Sequence, residues 1–327
     1  MNHRSTRRAA VVVAALAAVC PPLAAQDAYP VKPIRWIVPY AAGGLPDTLS
    51  RVIAQRLGEN LGQQIVIENR GGAGGISGSE AVAKAAPDGY TFLVADVGQV
   101  AINPFLYANL PYDPAKDLVP VSLIATSNLF LVANQSVPVK NFNELVALAR
   151  AKPGVLNYGS SGIGSIHHLS MESLKSALGL DIVHVPYKGT GQSIPALVSG
   201  DVALAYSSMP SIAAYVKSGR VTVLAVSTAT RSPTAPDVPT IAELGVPGYH
   251  FAPEIGLMAP AGTPGAIVAR MAQEIAKAVK SPEVVQRYAQ LDIEPVGSTP
   301  EEYAAKIRAA VEKYGQAVKV SGAKLDN

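Results

Sequence analysis

Two segments of this 327-residue chain hold residue types spaced for anion capture: Tyr40 to Thr48 (YAAGGLPDT) and Tyr158 to Ser165 (YGSSGIGS). Each sets small and glycine residues between a short apolar run and an amphipathic one, the pattern of a strand, a loop and a helix start. A helix start presents N–H groups with no partner inside the helix and a partial positive charge, and glycine lets an anion approach the backbone. Tyr40, Ala41, Ala42, Gly43 and Gly44 form the first candidate cradle, and Ser160, Ser161, Gly162, Gly164 and Ser165 the second. Either loop alone reads equally well as a tight turn. One in each half of the chain suggests a ligand held from two sides. Neither matches a phosphate-binding fingerprint, so no cofactor is expected. The second also fails the G-x-S-x-G nucleophile pattern, because Ile163 stands where the last glycine should be.

The charged residues around these loops are few. Asp47 falls in the first turn of its helix, where a carboxylate is stabilised by the dipole; it would repel an anion at contact distance, so a capping role or a bond to a ligand donor is expected. Asp96 follows a strand at the end where open α/β sheets place ligands, or it starts the turn before Asn103. Lys188, in VPYKGTG, lies between a strand and a helix, either facing an anion or on the surface. His167 and His168 are adjacent and so point apart on a helix. With His184 and His250 they give no metal-ligand spacing, and no metal or catalytic residue is expected.

The elements that must position these residues alternate. Strands are predicted over Pro33–Tyr40, Ile65–Glu68, Thr91–Ala95, Val155–Tyr158, Ile182–Pro186, Val202–Tyr206 and Val221–Ser227, with helices after the first, second, fourth and fifth of them, which is the grammar of an α/β fold. The apolar stretches Val121–Asn134 and Tyr249–Met258 are candidate crossings between two lobes. Beyond them the chain reads as helical, with starts at Thr263–Pro264, Ser281–Pro282 and Thr299–Pro300 and a capping box from Thr299 to Glu302.

Export is written in the first residues. Arg4, Arg7 and Arg8 precede the apolar run Ala9–Val19, and Ala24 and Ala25 follow, so residues 1–25 read as a signal peptide cleaved near Ala25. Cys20 as a lipid anchor and Arg7–Arg8 as a twin-arginine signal are weaker alternatives. The leader holds three arginines and no acid, so 27 basic and 24 acidic residues become 24 and 24 after cleavage. A neutral mature chain argues against nucleic acid as a partner. It is also free of cysteine and so of disulfides, in a chain long enough for two domains.

Taken together, YPVKPIRWIVPYAAGGLPD (Tyr29 to Asp47), GQQIVIENRGGAGG (Gly62 to Gly75), PDGYTFLVAD (Pro87 to Asp96), VPYKGTG, DVPTIAELGVPGY (Asp237 to Tyr249) and APAGTP (Ala259 to Pro264) resemble the Bug family, the extracytoplasmic receptors of tripartite tricarboxylate transporters. The resemblance runs in order through nearly the whole mature chain. It implies a type II periplasmic binding protein fold: α/β, two lobes with mixed sheets joined by two crossover strands, and a ligand cleft between them. Lobe 1 would comprise residues 26–125 and 251–327, and lobe 2 residues 126–250. The ligand would be a small carboxylate held mainly by main-chain groups, and the partners integral membrane transporter subunits, with the receptor a monomer. Residues Tyr40 to Asp47 would be the first-lobe site, and Ser160 to Ser165 with Lys188 the second. One departure stands out. Where many relatives carry an aromatic W-x-G-L, this chain has Glu254, Ile255, Gly256 and Leu257; if Glu254 reaches the cleft, a ligand with an amine or hydroxyl is favoured over a plain polyanion. Two other functions stay open: a receptor for a signalling membrane protein and, with no supporting motif, an exported hydrolase.

Overall fold

The computed structural model describes residues 29–325; the predicted leader, Cys20 and the cleavage site lie outside them. The strands form two separate mixed sheets. In the first, β1 (Ile34–Val38), β2 (Ile65–Asn69) and β3 (Thr91–Ala95) run parallel, with β1 in the middle. β10 (Glu254–Pro260) then pairs antiparallel with both β3 and β4 (Leu118–Ser127), and β11 (Ile293–Pro295) closes the edge on β4. In the second, β7 (Val183–Pro186), β6 (Asn157–Ser160) and β8 (Leu204–Ser207) are parallel, and β5 (Phe130–Asn134) joins β8 to β9 (Val221–Val226) antiparallel. The central strands are apolar because helices cover both faces: Ile34, Trp36, Ile37 and Val38 of β1 are fully buried.

The chain crosses between the sheets twice, once from β4 to β5 and once from β9 to β10. The crossings are bound to each other. The Ser227 N–H donates to the Leu129 carbonyl at 2.8 Å, the Phe251 N–H to the Ser227 carbonyl at 2.8 Å, and the Ser127 N–H to the Pro253 carbonyl at 3.0 Å. Buried Asp292, just before β11, accepts from Ser232 (2.8 Å), Thr234 (2.5 Å) and Asn128 (3.3 Å), so a turn of the first sheet's region ties both connections.

Most helices follow the sequence signals. α1 (Leu45–Leu61) buries Leu49, Ile53, Leu57 and Leu61, and α5 (Ile166–Leu178) begins after Ser165, whose hydroxyl accepts from the His168 N–H. α10 (Pro300–Ser321) carries the predicted capping box, with Thr299 and Glu302 each bonding the other's backbone. It packs against β4 and against α5, touching elements of both sheets. Three expectations need correction. β6 lies two residues later than predicted, because Val155 is 69% exposed while Tyr158, Gly159 and Ser160 turn inward. The region after β10 is not wholly helical, since β11 interrupts it. The helix read as starting at Thr263–Pro264 instead has Pro264 as its cap residue, and the Thr263 hydroxyl donates to the Pro260 carbonyl.

Candidate ligand site

Apart from Asp47, which sits in the first turn of α1, every sequence-predicted site residue lies at the carboxyl end of a parallel strand or on the loop that follows. Tyr40 to Gly44 follow β1, Asp96 follows β3, Ser160 to Ser165 end and follow β6, and Lys188 follows β7. That is where an open α/β sheet offers its ligand crevice.

The first loop is built by Asp47. Its buried carboxylate accepts the Gly43 N–H at 2.8 Å, the Arg51 guanidinium at 2.9 and 3.0 Å, and the Asn69 amide at 3.0 Å. Asn69 also donates to the Tyr40 carbonyl at 3.2 Å. Burial by itself would raise the Asp47 pKa, but the bonds from Arg51, Gly43 and Asn69 outweigh it and hold the acid below its usual range. Asp47 therefore faces the loop's interior. Pro46 has no N–H and that of Gly43 is taken by Asp47, so neither is a donor that an anion can meet. Ala41, Ala42, Gly43 and Gly44 are exposed, and Gly43 holds φ +85°.

Beside this loop stands a network centred on Asp96. Its carboxylate accepts the Tyr40 hydroxyl at 2.7 Å and the Gly98 N–H at 2.6 Å. Gln99 accepts the Asp96 N–H at 2.9 Å and donates to the Tyr40 oxygen at 2.7 Å and to the Gly74 carbonyl at 3.3 Å. Desolvation raises the Asp96 pKa against the pull of the Tyr40 and Gly98 bonds; desolvation, reinforced by the Asp96 charge, keeps the Tyr40 phenol neutral. A third glycine run, Gly71 to Gly75, joins here: a Cβ on Gly71 would lie 3.2 Å from the Ala41 nitrogen, so the two loops touch. Gly71, Gly74, Gln99 and Asn103 were not among the predicted site residues. The GGAGG run signalled the first two, while nothing in the local sequence marks Gln99.

The second loop spends much of its own polarity. The Gly162 N–H donates to Ser160 Oγ (3.1 Å), the Gly164 N–H to His168 Nδ1 (3.1 Å) and the Ser165 N–H to the Gly162 carbonyl (3.1 Å). Ser160 is buried, with its Oγ 2.6 Å from His184 Nε2, and His184 stacks between Tyr158 and His168 at 4.8 and 4.1 Å. Desolvation lowers the His184 pKa to about 4 and lowers that of His168. Ser161, half-buried, shares a 2.8 Å bond with His167 Nδ1. Gly162, Gly164 and Ser160 thus shape the loop, while Ile163 is exposed and Ser161 and His167 are half-buried.

The two loops are joined through α3 (Asn103–Leu106). Asn103 donates to the Gly74 carbonyl at 3.0 Å, and a Cβ on Gly164 would fall 2.1 Å from Leu106 Cδ1. Backbone from the second sheet's region is therefore packed directly on a side chain from the first. Lys188 is exposed, and its N–H donates to Gln192 at 3.1 Å. Glu254 is half-buried at the start of β10, and its charge acts on Lys313, Tyr303 and Tyr314 of α10.

Known proteins share this arrangement. The family model described as tripartite tricarboxylate transporter family receptor matches residues 49–323. Protein BugT of Bordetella pertussis is 36% identical over 312 residues, covering 95% of each chain. The solved structure of R. palustris Rpa4515 with adipate is 37% identical with a TM-score of 0.83, covering 91% of this chain and 100% of that one. MatC from Rhodopseudomonas palustris with bound malate is 33% identical with a TM-score of 0.78, covering 89% and 100%. Two sheets, two bound crossings and paired glycine loops are the frame of a two-lobed binding protein, and the chain belongs to the tripartite tricarboxylate transporter receptor family.

Proposed function

We propose that this receptor captures a small carboxylate between the Tyr40–Asp47 and Ser160–Ser165 loops and delivers it to the membrane subunits of its transporter. The observation that carries the reading is the pair of loops at carboxyl strand ends of different sheets, linked by the Leu106–Gly164 contact. Relatives solved with adipate and with malate support the ligand class. The lobes are residues 26–125 with 251–327, and residues 126–250. Strand membership supports this division: apart from Thr126 and Ser127 at the end of β4, the strands of one sheet fall in the first set and those of the other in the second. The mature protein is periplasmic, cleaved near Ala25, and works as a monomer without catalysis. Ligand binding shifts the population toward a closed form that the transporter reads.

A thermal-shift screen of the purified mature protein against mono-, di- and tricarboxylates, acidic amino acids and aromatic acids tests this. A ligand at about 100 times its Kd adds about 2.7 kcal/mol of stability. No shift with any carboxylate rejects the reading.

A further inference from the structure

The charge at the end of β3 points to one feature of the ligand. Asp96 sits at the carboxyl end of an interior strand, half-buried among the loops of the first cradle. Its carboxylate is bonded by a phenol and a backbone N–H, and among the described residues no lysine, arginine or histidine forms an ion pair with it. The contrast with Asp47 is direct, because there Arg51 neutralises the acid. Nearby charge adds to the imbalance. β10 runs antiparallel to β3 with Gly256 opposite Ala95, so Glu254 leaves the sheet at the same edge as Asp96. Both acids act on the Tyr303 and Tyr314 phenols, and the buried Tyr314 hydroxyl has no hydrogen-bond partner among the described residues. The Glu254 charge acts on Lys313, whereas among the described residues no basic side chain forms an ion pair with Asp96.

We infer that Asp96 accepts a hydrogen bond from the ligand, so that the ligand is a carboxylate bearing a hydroxyl or ammonium group. This rests on the carboxylate reading above. The two Asp96 oxygens each take one bond from the protein, and a carboxylate has acceptor capacity beyond that. A second anion placed against them, with no cation between, is repelled in a partly desolvated site. A donor is attracted there, and without one the remaining lone pairs of a half-buried carboxylate face the ligand unbonded. Discrimination by a hydroxyl or amine is correspondingly steep.

The test is calorimetric titration with matched series that differ at one carbon: succinate, malate and aspartate; glutarate, 2-hydroxyglutarate and glutamate; adipate and 2-aminoadipate. At the chain length that binds best, the donor-bearing member should bind at least ten-fold more tightly than the plain diacid. The hydroxyl and ammonium arms identify the donor. In Asp96→Asn the advantage should fall below three-fold while the plain diacid binds as well or better. The unmodified protein's preference stands as a test even if the variant melts early. A plain diacid that binds as tightly as its donor-bearing partners overturns the inference and leaves the carboxylate reading intact, as does a preference that survives Asp96→Asn. Failure of every acid to bind overturns both.

Discussion

Asp47 and Gly43 form one unit, and the shape of the first cradle depends on it. Removing the carboxylate in Asp47→Ala takes the partner from the Gly43 N–H and one acceptor from both Asn69 and Arg51, which should cost about 1–3 kcal/mol in denaturant unfolding and weaken ligand binding. Because the folded pKa is depressed, this contribution is complete above the ordinary aspartate range near 4 and disappears as pH falls through the lowered folded value. The stability profile of Asp47→Ala should accordingly be flatter at acid pH than that of the unmodified protein. Gly43 has open space where a Cβ would lie but a left-handed backbone, so Gly43→Val brings strain of about 1–2 kcal/mol and a branched side chain in front of the loop. Ligand affinity should be lost with the fold retained; unchanged affinity in titration would reduce the loop to a turn. The role of Asp47 was legible, since an acid in a helix's first turn has few other uses. That of Ser160 was not, because its burial depends on His184, 24 residues away on a neighbouring strand.

At the scale of elements, α3 and the second loop are fitted to each other at Gly164. Adding a methyl group in Gly164→Ala drives it into Leu106 at a backbone of φ +76°, and should destabilise the protein by about 2–4 kcal/mol. Combining it with Leu106→Ala removes the clash and not the strain. The double variant should therefore be more stable than the sum of the two single changes predicts, a coupling of about 1 kcal/mol or more in a double-mutant cycle. Additive behaviour would show that the loop and α3 do not meet. The strands and α10 were readable from apolar runs and from the Thr299 box. β11 was hidden because three residues with a proline make a strand only when β4 supplies the pairing. α7 (Met209–Lys217) was also missed, although Ser208 ahead of Pro210 is the same kind of start signal that marked α10.

Over the whole molecule, acid should loosen what the histidines hold neutral. Desolvation lowers His167, His184 and His250 to about 4 and lowers His168, whose Nδ1 must stay unprotonated to accept the Gly164 N–H; His250 Nδ1 likewise accepts the Ala229 N–H at 3.0 Å. Folded values below the unfolded 6.5 mean that the unfolded chain binds more protons, so stability is full above about pH 6.5 and falls as pH drops toward 4. Partial exposure discounts the shifts, and a loss of about 2–4 kcal/mol between pH 7 and 5 in thermal unfolding is expected. His168→Gln should reduce that loss. The two-sheet plan was legible from the alternating elements and two apolar crossings. The ties between the crossings were not, because Asp292 is 58, 60 and 164 residues from Thr234, Ser232 and Asn128, and nothing local marks their meeting.

Hydrogen–deuterium exchange with and without a carboxylate taken from the thermal-shift screen asks whether one guest engages both cradles. Amides of Tyr40–Asp47 and of Ser161–His167 should gain protection together and with the same ligand midpoint. Protection confined to one segment, or appearing at a site remote from both, contradicts capture between the two loops.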